Sequence, residues 1–264
     1  AVQFLLDHPQ AMLWLDMGLG KQQPVSEPVL TPTGWRPIGD LQPGDQVIGS
    51  NGCATTVLGV YPQRDTRVYR CEFSDGSWCR VGSDHLWSIS SHNDHKRGKP
   101  ARVMSTQDLL DAGLTDRAGT YKWVLPLTAP VQFAPVELPL DPYLLGVALG
   151  DGSIQPRGST QVCTDIEILQ QFGNHITDHP SEGIGYSCLR GVASTMRELQ
   201  LAGCRSWEKF IPPVYLLGSP AQRLALLQGL MDTDGSAITA GGGTEFSSTS
   251  ERLTDGVVFL AQSL

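Results

Sequence analysis

The sequence has no closely spaced cysteine pair, no long apolar run and no surplus of basic charge. Its six cysteines (Cys53, Cys71, Cys79, Cys163, Cys188 and Cys204) are scattered, without a C-x-x-C pair and without a histidine at zinc spacing. That argues against a disulfide framework or a structural zinc site, and free thiols fit a reducing cytoplasm. The first apolar stretch, residues 4–6 and 11–15, is broken by Asp7, His8 and Pro9. It is too short for a membrane span and lacks the basic flank of a secretory signal. Nineteen Lys and Arg against 27 Asp and Glu give a formal net charge of -8. This balance argues against a nucleic-acid binder, because phosphate neutralisation needs clustered cations. What remains is a chain of 264 residues, 40% apolar, with enough hydrophobic material for one large domain or two ordinary ones. It begins at Ala rather than Met and stops inside an amphipathic run, so both ends read as cut.

Residues 1–21 stand apart. An apolar run, A-M-L-W-L over 11–15, leads into D-M-G-L-G-K over 16–21. A strand, then glycines, then lysine is the pattern of a phosphate-cradling loop. Gly18 and Gly20 let backbone N–H groups converge, and the Lys21 ammonium meets the phosphates. Such a loop ends in Ser or Thr, whose hydroxyl ligates Mg²⁺; Gln22 stands there instead. The segment resembles motif I of Swi/Snf-type helicases, in which D-M-G-L-G-K is followed by Thr. The resemblance stops at the catalytic hydroxyl.

From residue 29 the pattern changes to short β-type runs (29–30, 46–48, 55–60, 68–73 and 77–81) separated by turn residues. Asn51-Gly52 and Asp75-Gly76 are strong hairpin signals. Ser105 or Thr106, ahead of Asp108, caps a short helix expected to run through Leu114. Within this segment, L-T-P-T-G-W-R-P-I-G-D-L-Q-P-G-D-Q-V over 30–47 resembles the N-terminal splicing block of inteins. G-S-D-H-L-W over 82–87 resembles their second block, usually T-x-x-H. The resemblance implies an all-β Hint-type splicing domain, incomplete here, that breaks the upstream extein peptide bond by acyl shift. His85 would polarise that bond and protonate its leaving nitrogen, a role suited to a near-neutral pKa. Two departures matter. The first intein position falls at Gln22, which carries no nucleophile, and Gly82 replaces the usual Thr, leaving Ser83 as a substitute hydroxyl. With Trp87 two residues after His85, the pattern is similar to class 3 inteins, whose attacking Cys lies in a later block. Neither that Cys nor the terminal Asn is present.

Beyond residue 138 two similar runs appear: Y-L-L-G-V-A-L-G-D-G over 143–152 and L-L-Q-G-L-M-D-T-D-G over 226–235. Their aspartates, Asp151 and Asp234, are 83 positions apart. Each run places small residues on one helix face (Gly146 and Gly150; Gly229 and Thr233), which lets two helices pack backbone to backbone. Each ends at Asp-Gly, where the glycine is expected to take the left-handed conformation of a C-cap. Two carboxylates brought together across such a pair repel one another unless a cation lies between them. Hard oxygen ligands suit Mg²⁺, so Asp151 and Asp234 are candidate metal ligands as well as catalytic residues. The paired runs resemble the LAGLIDADG motif of homing endonucleases. K-F-I-P-P over 209–213 matches the K-x-I-P block between them, which implies Lys209 near the active site. Residues 245–250 read as the strand after the second motif, and Glu251 onward as the next helix.

The expectation is therefore a helicase extein fragment at 1–21, the N-terminal part of a Hint splicing domain at 22–138 and a truncated α+β LAGLIDADG endonuclease at 139–264. Its partners would be a double-stranded DNA target, the intein-free helicase gene, and its own extein peptide bonds, with no membrane. Mg²⁺ would serve the endonuclease, and ATP only the spliced helicase host. Two rivals are a P-loop helicase or ATPase fragment, which predicts Ser or Thr at position 22, and a catalytically inactive intein remnant. Few basic residues (Arg157, Arg190, Arg197 and Arg205) occur in the first half of the endonuclease segment.

Overall fold

The computed structural model describes residues 23–61, 67–74, 76–176, 184–238 and 243–264. The proposed phosphate loop, with Gly18, Gly20, Lys21 and the Gln22 junction, lies outside the described residues. The chain divides into two compact units, one ending at Gln132 and one running from Phe133 to Leu264.

The N-terminal unit is a series of short antiparallel pairs. β1 (Pro28–Thr31) pairs with β2 (Gly34–Pro37) across a turn in which Gly34 has a φ of 112°, a conformation side chains disfavour. β3 (Gln46–Ile48) pairs with β4 (Ala54–Thr56), and β5 (Val68–Glu72) with β6 (Trp78–Gly82). β7 (Leu86–Ser91) lies between β8 (Arg102–Ser105) and β9 (Trp123–Val124). Two short helices interrupt the strands, α1 (His92–Lys96) and α2 (Thr106–Ala112). The run expected over 55–60 is a strand only to Thr56, since Val57 turns inward to bond Asp45 and the exposed Leu58 has no partner strand among the described residues. The Ser105–Asp108 capping box forms, but α2 stops at Ala112 rather than reaching Leu114. Gly113, at φ 77°, reverses the chain there. Small apolar groups hold the hairpins: Leu41, Val47 and Val57 in one, and Cys79, Val81, Trp87 and Ile89 in another.

The C-terminal unit is built on one larger core and repeats a helix–hairpin–helix arrangement. α3 (Pro142–Gly150) leads into β10 (Gly152–Ile154), β11 (Thr160–Asp165) and α4 (Ile166–Gln170). β12 (Ile184–Leu189), α5 (Ala193–Glu198) and α6 (Pro213–Leu216) follow. The arrangement then recurs as α7 (Pro220–Asp234), β13 (Gly235–Ile238), β14 (Gly243–Phe246) and α8 (Glu251–Ser263). Every residue of α3 from Leu144 to Leu149 is buried, as expected of a helix apolar on all sides. Its start is fixed by Pro142 at the first helical position and by the Asp141 carboxylate, which accepts from the Leu144 N–H at 3.0 Å.

Candidate active site

α3 and α7 cross at their glycines. A Cβ added at Gly146 would stand 2.5 Å from the Leu226 carbonyl oxygen, and one at Gly229 would stand 2.3 Å from that of Tyr143. At Gly150 it would meet the Thr233 hydroxyl at 2.0 Å. The Thr233 hydroxyl is itself held down, donating to the Gly229 and Leu230 carbonyls at 3.0 Å. Only backbone hydrogen fits at these crossings, so the helix ends converge and carry Asp151 and Asp234 toward each other. The small-residue faces read from the sequence are the contact faces. The reason for the following glycines is different from the expected one. Gly235 is extended (φ -89°, ψ 151°), and Gly152 is not among the glycines of positive φ. Neither is a left-handed cap. Instead the chain passes straight from helix into strand, so close to the preceding turn that a Cβ would lie 2.1 Å from the Ala148 oxygen and 2.3 Å from that of Met231.

Asp151, Asp234 and Lys209 line one open cleft of about 530 Å³, with Ser153, Ser206 and Ser247 among its walls. Lys209 is only 6% exposed. Its ammonium donates to the carbonyls of Leu149 at 2.6 Å and Gly150 at 2.9 Å. These are two of the carbonyls that the end of α3 leaves without helical partners, at the negative end of the helix dipole. Burial pulls the Lys209 pKa down, while Asp234 and Asp151 push it back up. Burial raises the Asp234 pKa, as does the charge of Asp151, and Lys209 opposes the rise. The three charges therefore interact with one another inside the cleft. Among the described residues, no group of three or more His, Cys, Asp or Glu side chains is clustered for a metal. The acidic donors are the two aspartates.

Sequence patterns did not single out Ser250. Its hydroxyl donates to the Lys209 carbonyl at 2.6 Å and accepts from the Leu253 N–H at 3.2 Å, so one buried side chain fixes the lysine and caps α8. The only available signal was a serine just before a helical run, which points to a cap and not to a tether.

The remaining candidates belong to the N-terminal unit. His85 is 0% exposed, and neither ring nitrogen has a hydrogen-bond partner among the described residues. Burial holds its pKa down at about 4. Its ring meets Trp87 edge-on, with centroids 4.8 Å apart. The Trp87 indole N–H donates to the Thr106 hydroxyl at 3.0 Å. Trp87 is thus a core side chain and a wall of the histidine site together. Ser83 is partly exposed, its hydroxyl 3.4 Å from an Asp84 carboxylate oxygen.

Residues 221–264, from α7 through α8, match the family described as LAGLIDADG-like domain. That similarity is confined to this stretch of the chain. The preceding α3–β10–β11–α4 segment repeats its helix–hairpin–helix order and brings Asp151 opposite the domain's Asp234. Two curated relatives are each named replicative DNA helicase DnaB. One, from Mycobacterium intracellulare, is 31% identical over 265 residues, spanning 94% of this chain and 43% of the relative. The other, from Mycobacterium leprae (strain TN), is 33% identical over 86 residues, spanning 31% of this chain and 14% of the relative. The chain therefore spans less than half the length of either. Two crystal structures are similar, the gp41-1 intein and a variant of it. They are 22% and 23% identical, cover 39% and 40% of this chain and 74% and 77% of theirs, and have a TM-score of 0.29 each. Both curated relatives are helicases by name. No helix among the described residues is long and apolar enough to cross a membrane.

Proposed function

We propose that the C-terminal unit is the phosphodiester-cleaving part of a homing endonuclease, and that the N-terminal unit is the first part of a Hint-type splicing domain lodged in a helicase. On this reading the segments are 1–21 for the helicase fragment, 22–138 for the splicing part and 139–264 for the endonuclease. The observation that carries the nuclease reading is the meeting of Asp151, Asp234 and Lys209 in one cleft where two glycine-packed helices end.

The donor set fits a hard divalent cation. Two carboxylates face the same space, and the Asp234 carboxyl is destabilised as an anion by burial and by Asp151. The nearest backbone carbonyls are already occupied by Lys209. Mg²⁺ characteristically takes one or two carboxylates and keeps several waters. When bound there it would supply Lewis-acid stabilisation of phosphate charge and an acidified water. The protein's own share is distinct. Asp151 and Asp234 hold negative charge at the cleft floor, Lys209 limits their repulsion from behind, and the serine hydroxyls of the walls can donate to phosphate oxygens. Double-stranded DNA is the substrate that the similarity to LAGLIDADG-like domains implies.

In the splicing part, a buried neutral His85 presents an unengaged N–H, the donor needed to polarise a peptide carbonyl. Trp87 keeps water from it. That supports the carbonyl-polarising part of the role expected of His85, whereas a pKa held at about 4 does not match the near-neutral value expected for protonating the leaving nitrogen.

A second reading, an endonuclease that has lost its activity, is favoured by one observation. The exposed strand residues Ser153, Gln161 and Asp165, and likewise Ser236, Ala237, Thr244 and Glu245, include no Lys or Arg. A DNA-gripping sheet face needs such cations. Incubating the full-length gene product with Mg²⁺ and a duplex carrying the uninterrupted helicase-gene site separates the two. Cleavage that disappears in Asp151→Asn and Asp234→Asn establishes the nuclease, whereas an intact duplex with the unsubstituted protein establishes the inactive form.

A further inference from the structure

The β5–β6 hairpin sets Cys71 directly opposite Cys79. Directly opposed residues of an antiparallel pair project from the same face. Two positions nearer the turn, the Phe73 N–H donates to the Ser77 carbonyl at 2.9 Å. By the alternation of the antiparallel ladder, Cys71 and Cys79 therefore form a hydrogen-bonded pair, for which the Cα separation is ~5.5 Å. That lies within the usual range for bridged cysteines, roughly 4.4–6.8 Å. The thiols already interact, the Cys79 S–H donating to the Cys71 sulfur. Cys71 is partly exposed and Cys79 buried, and both are free thiols. No other cysteines are placed this way. Cys163 stands opposite Tyr186, and Cys188 opposite Gln161. Those two cysteines are diagonal neighbours at ~7–8 Å, beyond disulfide reach.

We propose that Cys71 and Cys79 are a redox modification site, closing a reversible cross-strand disulfide beside the Trp87 cluster. The hydrogen bond from Cys79 lowers the Cys71 pKa, against the opposing effect of burial. The more accessible sulfur is thus also the better nucleophile. The oxidant is a low-molecular-weight disulfide. The Cys71 thiolate attacks one of its sulfurs, breaking the small S–S bond, releasing one small thiolate and leaving a mixed disulfide. Cys79 then gives its proton to water, and its thiolate attacks the Cys71 sulfur, expelling the second small thiolate. Two protein thiols are oxidised and one small disulfide is reduced to two thiols. Cys79 and Trp87 share one apolar cluster, and Phe73 and Cys71 pack against it. The cross-link therefore fixes the strands that support the wall of the His85 site.

The test treats the full 264-residue chain with glutathione disulfide, alkylates remaining thiols and maps linkages by mass spectrometry without reduction. A Cys71–Cys79 peptide pair, lighter by two hydrogen atoms, is expected, with the other cysteines alkylated. Amide hydrogen exchange across β5 and β6 is expected to slow on the order of tenfold or more in the oxidised chain and to recover with reductant. In Cys79→Ser the glutathione is expected to persist on Cys71. A stable glutathione adduct on Cys71 of the unsubstituted chain, a linkage through any other cysteine, or no linkage at all would overturn the proposal.

Discussion

Gly146→Ala is expected to destabilise the C-terminal unit, although the same exchange in an exposed helix stabilises by roughly 1 kcal/mol. The sign is decided at the helix crossing. The new methyl would begin 2.5 Å from the Leu226 oxygen, 2.9 Å from the Leu230 nitrogen and 3.0 Å from the Gly229 carbonyl carbon. All three are backbone atoms of α7, so no side-chain rotation relieves the contact. Restoring an ordinary 3.4 Å separation from that oxygen moves the helices apart by about 0.9 Å. A gap of that size forfeits roughly a quarter to a half of each dispersion contact along the crossing. Overpacking of this kind costs about 1–3 kcal/mol, which exceeds the propensity gain. Urea unfolding followed by far-UV circular dichroism measures the net effect, with the exposed helical change Gln228→Ala as the comparison. A Gly146→Ala chain that gains stability by the ordinary helical increment would show that the crossing is not steric.

Two further outcomes follow from the same geometry. Burial holds His85 neutral down to about pH 4, whereas an unfolded histidine takes up its proton near ~6.5. The unfolded state therefore binds more protons between these values. The stability of the N-terminal unit is full above ~6.5 and is lost as the pH falls toward 4, by about 3 kcal/mol at most; in His85→Leu, unfolding midpoints across that window are expected to flatten. Ser250→Ala removes both the cap of α8 and the tether to the Lys209 carbonyl. It is expected to cost about 1–3 kcal/mol in urea unfolding and to loosen Lys209 from the Leu149 and Gly150 carbonyls, seen as faster lysine acylation.

The C-terminal site was largely legible in the sequence because its chemistry repeats. Two apolar runs, each with small residues four apart and each ending at Asp-Gly, identify the paired helices and both aspartates. Only resemblance pointed to Lys209, since no local pattern signals its bonds to carbonyls some sixty positions earlier. The role of Gly152 and Gly235 was misread because a helix-ending glycine ordinarily answers a dihedral need, whereas these answer a steric one. In the N-terminal unit the strands are so short that alternation barely registers. β2 contains Arg36 and Pro37 and gave no strand signal. The Cys71–Cys79 juxtaposition depends on hairpin register, which residue spacing alone does not encode.

Two aspartates share one space at the end of a glycine-packed helix pair. Titration of the Asp234 carboxyl by carbon NMR, in the unsubstituted chain and in Asp151→Asn, tests this most directly. The carboxyl is expected to titrate above the ordinary aspartate range, and to move down both when Mg²⁺ is added and when Asp151 is made neutral. An Asp234 that titrates as an ordinary exposed carboxyl, indifferent to Mg²⁺ and to the Asp151 substitution, would contradict it.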